Sequence, residues 1–220
     1  MAPFAGVASE NNGLPGTERE ASAVAAMLGT RPRMTGDASY AALRTAVQSA
    51  PRVLHIATHG YAQEYRGNAS PLSFVGLRFA PGDGDDARVS ASRMAVELPL
   101  LGTDLVVLSA CESGLGSVTP GQDIASTRQA FHIAGARHVM ASLWPVDDAA
   151  AAFFMERFYT HVLAGVSVVQ AHSRAMRETR DHGRRPDGRG GPYSAIEKWA
   201  PFVLSVVPAR GASRTPAPAR

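Results

Sequence analysis

A histidine and the single cysteine of the chain follow two short apolar runs. His59 comes two residues after the run at 53–57, and Cys111 comes directly after the run at 105–110. Both runs have the length and the β-branched content of buried strands, so both side chains are expected at one edge of a sheet. A cysteine is an effective nucleophile when an imidazole within hydrogen-bond reach favours its thiolate. The pair therefore predicts catalysis through a covalent thiol ester.

The glycine after the histidine fits the same chemistry. Because Gly60 has no Cβ, its N–H can approach a substrate carbonyl closely. Together with the backbone N–H of Cys111, it can form an oxyanion hole. The competing interpretation is structural: His59 is then an ordinary loop histidine, and Cys111 is a buried thiol at the end of a strand.

A third apolar run, residues 138–143, is followed by Trp144, Asp147 and Asp148. If this run is also a strand of the sheet, these side chains lie at the active edge and can line a substrate pocket. A carboxylate in that pocket favours a substrate arginine or lysine by charge pairing. The alternative is that Asp147 or Asp148 only caps the helix that follows. One aspartate can also cap the helix while the other faces the cleft.

Two other arrangements of side chains are weaker. The spacing of His55 and His59 would suit zinc on a helix, but four residues of a strand span about 13 Å, too far for two bonds to one ion. Asp104 is excluded as a third catalytic group, because it lies at the opposite end of its strand from Cys111. We therefore expect no metal and no cofactor, and a catalytic dyad.

Composition limits the class of protein. The chain has 220 residues, of which 45% are hydrophobic and 19% charged, as in a globular domain. No apolar run reaches 18 residues and no secretory signal is visible, so we expect no membrane association. One cysteine fits a reducing, cytoplasmic compartment. The net charge of +3 is small, and no nucleic-acid motif accompanies it, so a nucleic-acid partner is not expected.

The elements that must position these residues alternate between strands and helices. Such alternation predicts a mainly parallel sheet with helices on both faces, and ligands bind beyond the carboxyl ends of such strands. Thr17 and Glu20 have the spacing of a capping box, and Asp37 is expected to cap a second helix. Residues 61–100 are expected to be irregular apart from one strand near 75–79. A Pro/Ala/Arg-rich tail at 208–220 is expected to be disordered.

Six motifs, in order along the chain, resemble those of the CHAT domain family, which has a caspase-like fold. They are His-Ile-Ala-Thr-His-Gly at 55–60, Leu-Ser-Ala-Cys-Glu-Ser-Gly at 108–114, Ala-Gly-Ala-Arg at 134–137, Ser-Leu-Trp-Pro-Val-Asp-Asp at 142–148, Phe-Tyr at 158–159 and Trp-Ala-Pro-Phe-Val-Leu at 199–204. Caspases likewise place a histidine about 50 residues before an alanine–cysteine pair.

The resemblance implies a caspase-like three-layer α/β/α sandwich, a CHAT domain over residues 1–207, and a cysteine endopeptidase with a His59–Cys111 dyad. By motif position, the oxyanion donors are the backbones of Gly60 and Cys111. Family members usually carry a further section before the Leu-Pro-Gly element at residue 14, so we expect a truncated domain or the C-terminal part of a longer protein. The short segment at 112–121 argues against activation by cleavage there.

The expected partners are a protein or peptide substrate and a regulatory protein with a repeat or sensor domain. By family analogy, the substrate belongs to a bacterial defence or cell-death pathway. The alternative function is an inactive CHAT module that serves as a protein-binding scaffold.

Overall fold

A computed structural model describes residues 4–7, 15–63, 70–81, 87–109, 122–184 and 190–208; residues 4–7, 15–17, 35 and 122–126 are described by their backbone alone. The strands are β1 (Phe4–Val7), β2 (Val53–Ala57), β3 (Gly60–Ala62), β4 (Val75–Arg78), β5 (Arg88–Ser90), β6 (Leu105–Ser109), β7 (His138–Ser142) and β8 (Phe202–Val206). The helices are α1 (Pro15–Met27), α2 (Tyr40–Val47), α3 (Ala91–Glu97), α4 (Gln122–Ile133), α5 (Asp148–Leu163), α6 (Val168–Asp181) and α7 (Ile196–Trp199).

The larger sheet has the strand order β1-β2-β6-β7-β8. All neighbours are parallel except β8, which runs antiparallel to β7 at one edge. Helices flank this sheet, and the described residues form a mixed α/β fold consistent with three α/β/α layers. The expected fold class is therefore confirmed.

Alternate residues of the central strands face two different hydrophobic clusters. Leu54, Ile56, Val106 and Leu108 pack with residues of α2, α3 and α4. Leu105, Val107 and Met140 pack with residues of α1, α5 and α6. Because both faces are covered, the strands read as continuous apolar runs in the sequence, which is why they were predictable.

The described residues between 61 and 100 are more ordered than the sequence indicates. They contain α3 and, together with Gly60, a second sheet in which β3, β4 and β5 pair antiparallel. These strands are only three or four residues long, so they carry too little alternation to be recognised. The expectation of an irregular segment with one strand is wrong for the described part of this region.

Two expected helix caps are also wrong. Helix α1 begins at Pro15, so Thr17 lies inside it, and proline suits the first turn of a helix because its missing N–H is not needed there. Helix α2 is capped by Ser39, whose side chain accepts from the backbone N–H of Ala42, whereas Asp37 lies in a preceding 3-10 turn.

In the described ranges, no helix combines the length and the apolar character needed to cross a bilayer. Of the tail at 208–220, all but Pro208 lies outside the described residues.

Candidate functional site

Strands β2, β6 and β7 run parallel, so their carboxyl ends meet at one edge of the sheet. Ala57 at the end of β2 pairs directly with Ser109 at the end of β6. His59 follows Ala57 by two residues, and Cys111 follows Ser109 by two residues in the sequence. Cys111 itself lies outside the described residues. The two strands that precede the candidate dyad are thus adjacent and in register.

The backbone at His59 is held by β4. The backbone N–H of Arg78 donates to the carbonyl of His59 at 2.9 Å. One residue earlier, the buried hydroxyl of Thr58 donates to the carbonyl of Arg78 at 2.5 Å. The His59 side chain is half-buried, and its imidazole has no hydrogen-bond partner within the described ranges. An imidazole on a fixed backbone can serve as an acid or a base for a group that comes within hydrogen-bond reach.

Gly60 begins β3, the edge strand of the smaller sheet. Residues that face each other in an antiparallel pair alternate between bonded and non-bonded pairs. Because Arg78 bonds to His59, the next pair, Gly60 and Leu77, is non-bonded. The N–H of Gly60 therefore points away from β4, as an oxyanion donor requires.

Trp144 follows β7 and is fixed by α7, a short helix that the sequence did not predict. The indole Nε1–H donates to the backbone carbonyl of Glu197 at 3.0 Å, and the side chain is half-buried. The neighbouring residue of α7, Lys198, approaches Asp147, with Nζ and Oδ2 3.5 Å apart. These contacts attach α7 to the loop after β7.

Of the two aspartates in this loop, Asp147 is the helix cap. Its Oδ1 accepts from the backbone N–H of Ala150 at 3.0 Å, at the start of α5. That hydrogen bond, together with the ammonium of Lys198, lowers the pKa of Asp147 below its usual range. Asp148 is exposed, and no side-chain partner is found for it among the described residues. Asp147 thus realises the capping alternative, and a substrate-binding role for either aspartate stays a prediction.

A buried polar network lies beneath this edge of the sheet, and sequence reasoning missed it. It consists of Glu20 on α1, His55 on β2, Ser109 on β6 and Tyr159 on α5. Ser109 Oγ donates to Glu20 Oε2 at 2.8 Å, and His55 Nδ1 lies 2.9 Å from the Tyr159 hydroxyl. His55 Nε2 lies 3.1 Å from Glu20 Oε1, although the two groups are not aligned as a hydrogen bond.

The network explains the two patterns that had suggested other roles. Glu20 turns to Ser109 rather than back to the start of its helix, so it forms no capping box. Both nitrogens of His55 face protein groups, so the ring is not presented to a metal ion. Among the described residues, no three histidine, cysteine, aspartate or glutamate side chains converge as metal ligands. The spacing of Thr17 and Glu20 and the spacing of His55 and His59 had drawn attention to Glu20 and His55. Neither spacing indicated the partners that these side chains have in the structure.

The fold and the site define a class: an α/β protein with a histidine–glycine pair at the carboxyl edge of its sheet, beside the strand that leads to its cysteine. The model of the CHAT domain family matches residues 5–206. The chain belongs to the CHAT domain family, whose members are related to the caspases.

Comparison with curated proteins finds tetratricopeptide repeat protein 28 of Homo sapiens and of Mus musculus. Each is 30% identical to this chain over 217 aligned residues, which include 87% of the chain. The chain spans about 8% of the length of these relatives. Among solved structures, the pyridoxal kinase from Staphylococcus aureus in complex with pyridoxal is 14% identical, with 94% of this chain and 100% of that chain covered. Its TM-score is 0.36, too low to carry an argument.

Proposed function

We propose that the protein is a cysteine endopeptidase that uses His59 and Cys111. The thiolate of Cys111 attacks the scissile carbonyl carbon, and the backbone N–H groups of Gly60 and Cys111 stabilise the oxyanion. The imidazolium of His59 gives its proton to the leaving amine, which departs as the acyl-enzyme forms. His59 then takes a proton from water as the water attacks the thiol ester, which releases the acid and restores the thiolate of Cys111 beside the imidazolium.

The observation that carries this proposal is the register of β2 and β6. Ala57 and Ser109 are paired, and in the sequence each is followed two residues later by one member of the dyad. The outward N–H of Gly60 supplies a suitable donor beside His59. Membership of the CHAT domain family is a second, independent support.

Trp144, Asp147 and Asp148 are proposed to bind the substrate residue before the scissile bond. The Trp144 ring is held against α7 and offers an apolar wall. The carboxylate of Asp147 already accepts from the Ala150 N–H and pairs with Lys198, whereas Asp148 is exposed. A preference for arginine or lysine is therefore expected to rest on Asp148.

The proposed partners are a protein substrate and a regulatory protein. The relatives named for tetratricopeptide repeats support a repeat-containing regulator, because the chain resembles a small part of those proteins. A cytoplasmic location and a bacterial origin remain predictions, and the named relatives are human and murine.

The test is the rate at which a peptidyl acyloxymethyl ketone labels the full chain, followed by intact mass. We expect single-site labelling at Cys111 in the wild type and no labelling in Cys111→Ala. In His59→Ala we expect the labelling rate to fall about 10²- to 10⁴-fold, which is the usual contribution of a general acid or base. Cys111→Ala is expected to change the free energy of unfolding by no more than about 1–2 kcal/mol.

Equal and slow labelling of the wild type and of His59→Ala would contradict the proposal. The thiol would then be unactivated, and the protein-binding scaffold would become the better interpretation. Cleavage of a substrate by Cys111→Ala would contradict the assignment of the nucleophile.

A further inference from the structure

The buried polar network joins four elements directly beneath the candidate site. His55 and Tyr159 are fully buried, and Glu20 and Ser109 are 9% exposed. Ser109 is the last described residue of β6 and lies two residues before Cys111 in the sequence. The hydrogen bond from Ser109 to Glu20 thus connects α1 to the part of β6 that leads to the proposed nucleophile.

The packing of α1 on β2 brings Glu20 next to the end of β6. Ala21, the residue after Glu20, is fully buried against Ala57 at the end of β2. Two alanines in contact allow the helix to approach the strand closely. The carboxylate of Glu20 then reaches Ser109 on β6, which pairs with Ala57 across the ladder.

The donors and acceptors of the network fit one arrangement. Burial raises the pKa of Tyr159 well above its usual range, so its hydroxyl stays protonated and can donate to Nδ1 of His55. The imidazole then carries its proton on Nε2, which faces Oε1 of Glu20. The other carboxylate oxygen accepts from Ser109. Tyr159 and His55 thereby lie on the Oε1 side of the Glu20 carboxylate, and Ser109 lies on its Oε2 side.

Folding alone does not call for such a network. A carboxylate is costly to bury, and buried ionic groups can often be replaced by apolar residues of similar volume without loss of stability. Around the network the same layer is built from apolar side chains, including Val107, Phe158 and Met140. At the end of β6, the same layer instead carries Ser109, which is bonded to Glu20.

We propose that Glu20 is a positioning residue for the peptidase site: through Ser109 it holds the end of β6, which precedes Cys111 in the sequence, in register with the end of β2, which precedes His59. This inference rests on the proposed function. It assigns His55 and Tyr159 to the support of Glu20 and gives neither of them a part in proton transfer to substrate.

The experiment is a double-mutant cycle on the full chain, with the pH-dependent rate of carbamidomethylation by iodoacetamide as the readout and intact mass as the detector. Ser109→Ala removes the hydroxyl, and Ser109→Thr retains one. Ser205→Ala is the matched control, because Ser205 is a strand serine of the same sheet whose hydroxyl donates to the carbonyl of Val139 at 3.1 Å. Each is measured with His59 intact and with His59→Ala, and melting temperatures are recorded.

With the inference correct, Ser109→Ala lowers the labelling rate at neutral pH about 10- to 100-fold, the range expected for a misplacement of about 1 Å. His59→Ala then has an effect of about twofold or less in the Ser109→Ala background, because the two groups are coupled. Ser109→Thr restores the rate, and Ser205→Ala leaves it unchanged. A merely structural loss would change the melting temperature without removing the dependence on His59.

The inference would be overturned if the labelling rate depends on His59 in the wild type and keeps the same dependence in Ser109→Ala. The proposed function would then remain intact. A wild type that is indifferent to His59 would overturn both. If Ser109→Ala gives no melting transition, Tyr159→Phe replaces it, because that variant keeps the ring and removes only the hydroxyl at His55. An unchanged rate in Tyr159→Phe would then overturn the inference.

Discussion

Two histidines four residues apart have opposite environments. The ring of His55 is fully buried between Tyr159 and Glu20, whereas the ring of His59 is half-buried and has no hydrogen-bond partner among the described residues. The difference follows from their positions, since His55 lies inside β2 and His59 lies beyond its end. A strand side chain enclosed by two helices is fixed by protein partners, and the first residues after the strand remain available to a substrate.

At the residue scale, the two neighbouring aspartates make a matched pair of variants. We expect Asp147→Ala to lower the free energy of unfolding by about 1 kcal/mol at pH 7, because it removes the cap of α5, while Asp147→Asn retains most of the cap. Asp148→Ala is expected to cost less, since its side chain makes no cap hydrogen bond. Urea denaturation measures all three.

The cap also gives stability a dependence on pH. The pKa of Asp147 is lowered by the Ala150 N–H and by Lys198, so the folded state binds its proton less readily than the unfolded state does. The contribution is therefore present above about pH 4, the ordinary pKa of aspartate, and is lost as the pH falls through the folded-state pKa. The same pH dependence of unfolding in the wild type and in Asp147→Asn would contradict this account.

At the scale of elements, the smaller sheet fixes the orientation of Gly60. The register of β3 on β4 is what turns the Gly60 N–H outward, and Gly76 allows that register. A Cβ on Gly76 would lie 2.0 Å from the carbonyl oxygen of Val89 and 2.9 Å from the ring of Tyr61. β4 thus holds its place between β3 and β5 only with glycine at this position.

We expect Gly76→Ala to lower the free energy of unfolding by about 1–3 kcal/mol, the usual cost of overpacking, and to slow labelling of Cys111 by the peptidyl probe. Gly36→Ala is the control, because a Cβ there meets no atom within 4 Å, and a change of about 0.5 kcal/mol or less is expected. Equal stability and labelling in the two variants would show that the smaller sheet does not support the site.

At the scale of the whole molecule, the sheet is held between two clusters of different composition. The cluster on the side of α1, α5 and α6 contains stacked aromatic rings, with the centroids of Phe154 and Phe202 4.5 Å apart. This contact joins α5 to the antiparallel edge strand β8. The segment after β7 packs on this core through Val146, so we expect its stability to depend on the contact between α5 and β8.

Phe154 and Phe153 test this dependence, because they are adjacent in α5 and differ in burial. Phe154 is fully buried, and we expect Phe154→Ala to cost about 3–5 kcal/mol. Phe153 is half-buried and contacts the rings of His182 and Tyr193, so Phe153→Ala is expected to cost about half as much or less. Denaturant unfolding followed by tryptophan fluorescence compares the two, and equal losses would contradict the proposed core.

Much of the larger sheet was predictable because its strands are buried on both faces and read as apolar runs. β2, β6 and β7 were expected close to where they lie. The smaller sheet was not predictable, because its strands are short and are defined by their partners. The antiparallel direction of β8 also has no local signature. The direction of a strand is set by the end of the sheet to which the preceding helices return the chain.

The sequence by itself determined the chemistry on offer: one cysteine, a histidine–glycine pair at the end of an apolar strand, and two aspartates before a helix. Which aspartate caps α5, and which histidine is enclosed, was decided only by tertiary structure, because each depends on groups distant in sequence, such as Lys198 for Asp147 and Tyr159 for His55. The same holds for Glu20, whose partner Ser109 lies 89 residues away. Local patterns specify which groups a strand or helix presents, whereas the packing of α1, α5 and α7 specifies which of those groups find partners and which remain open.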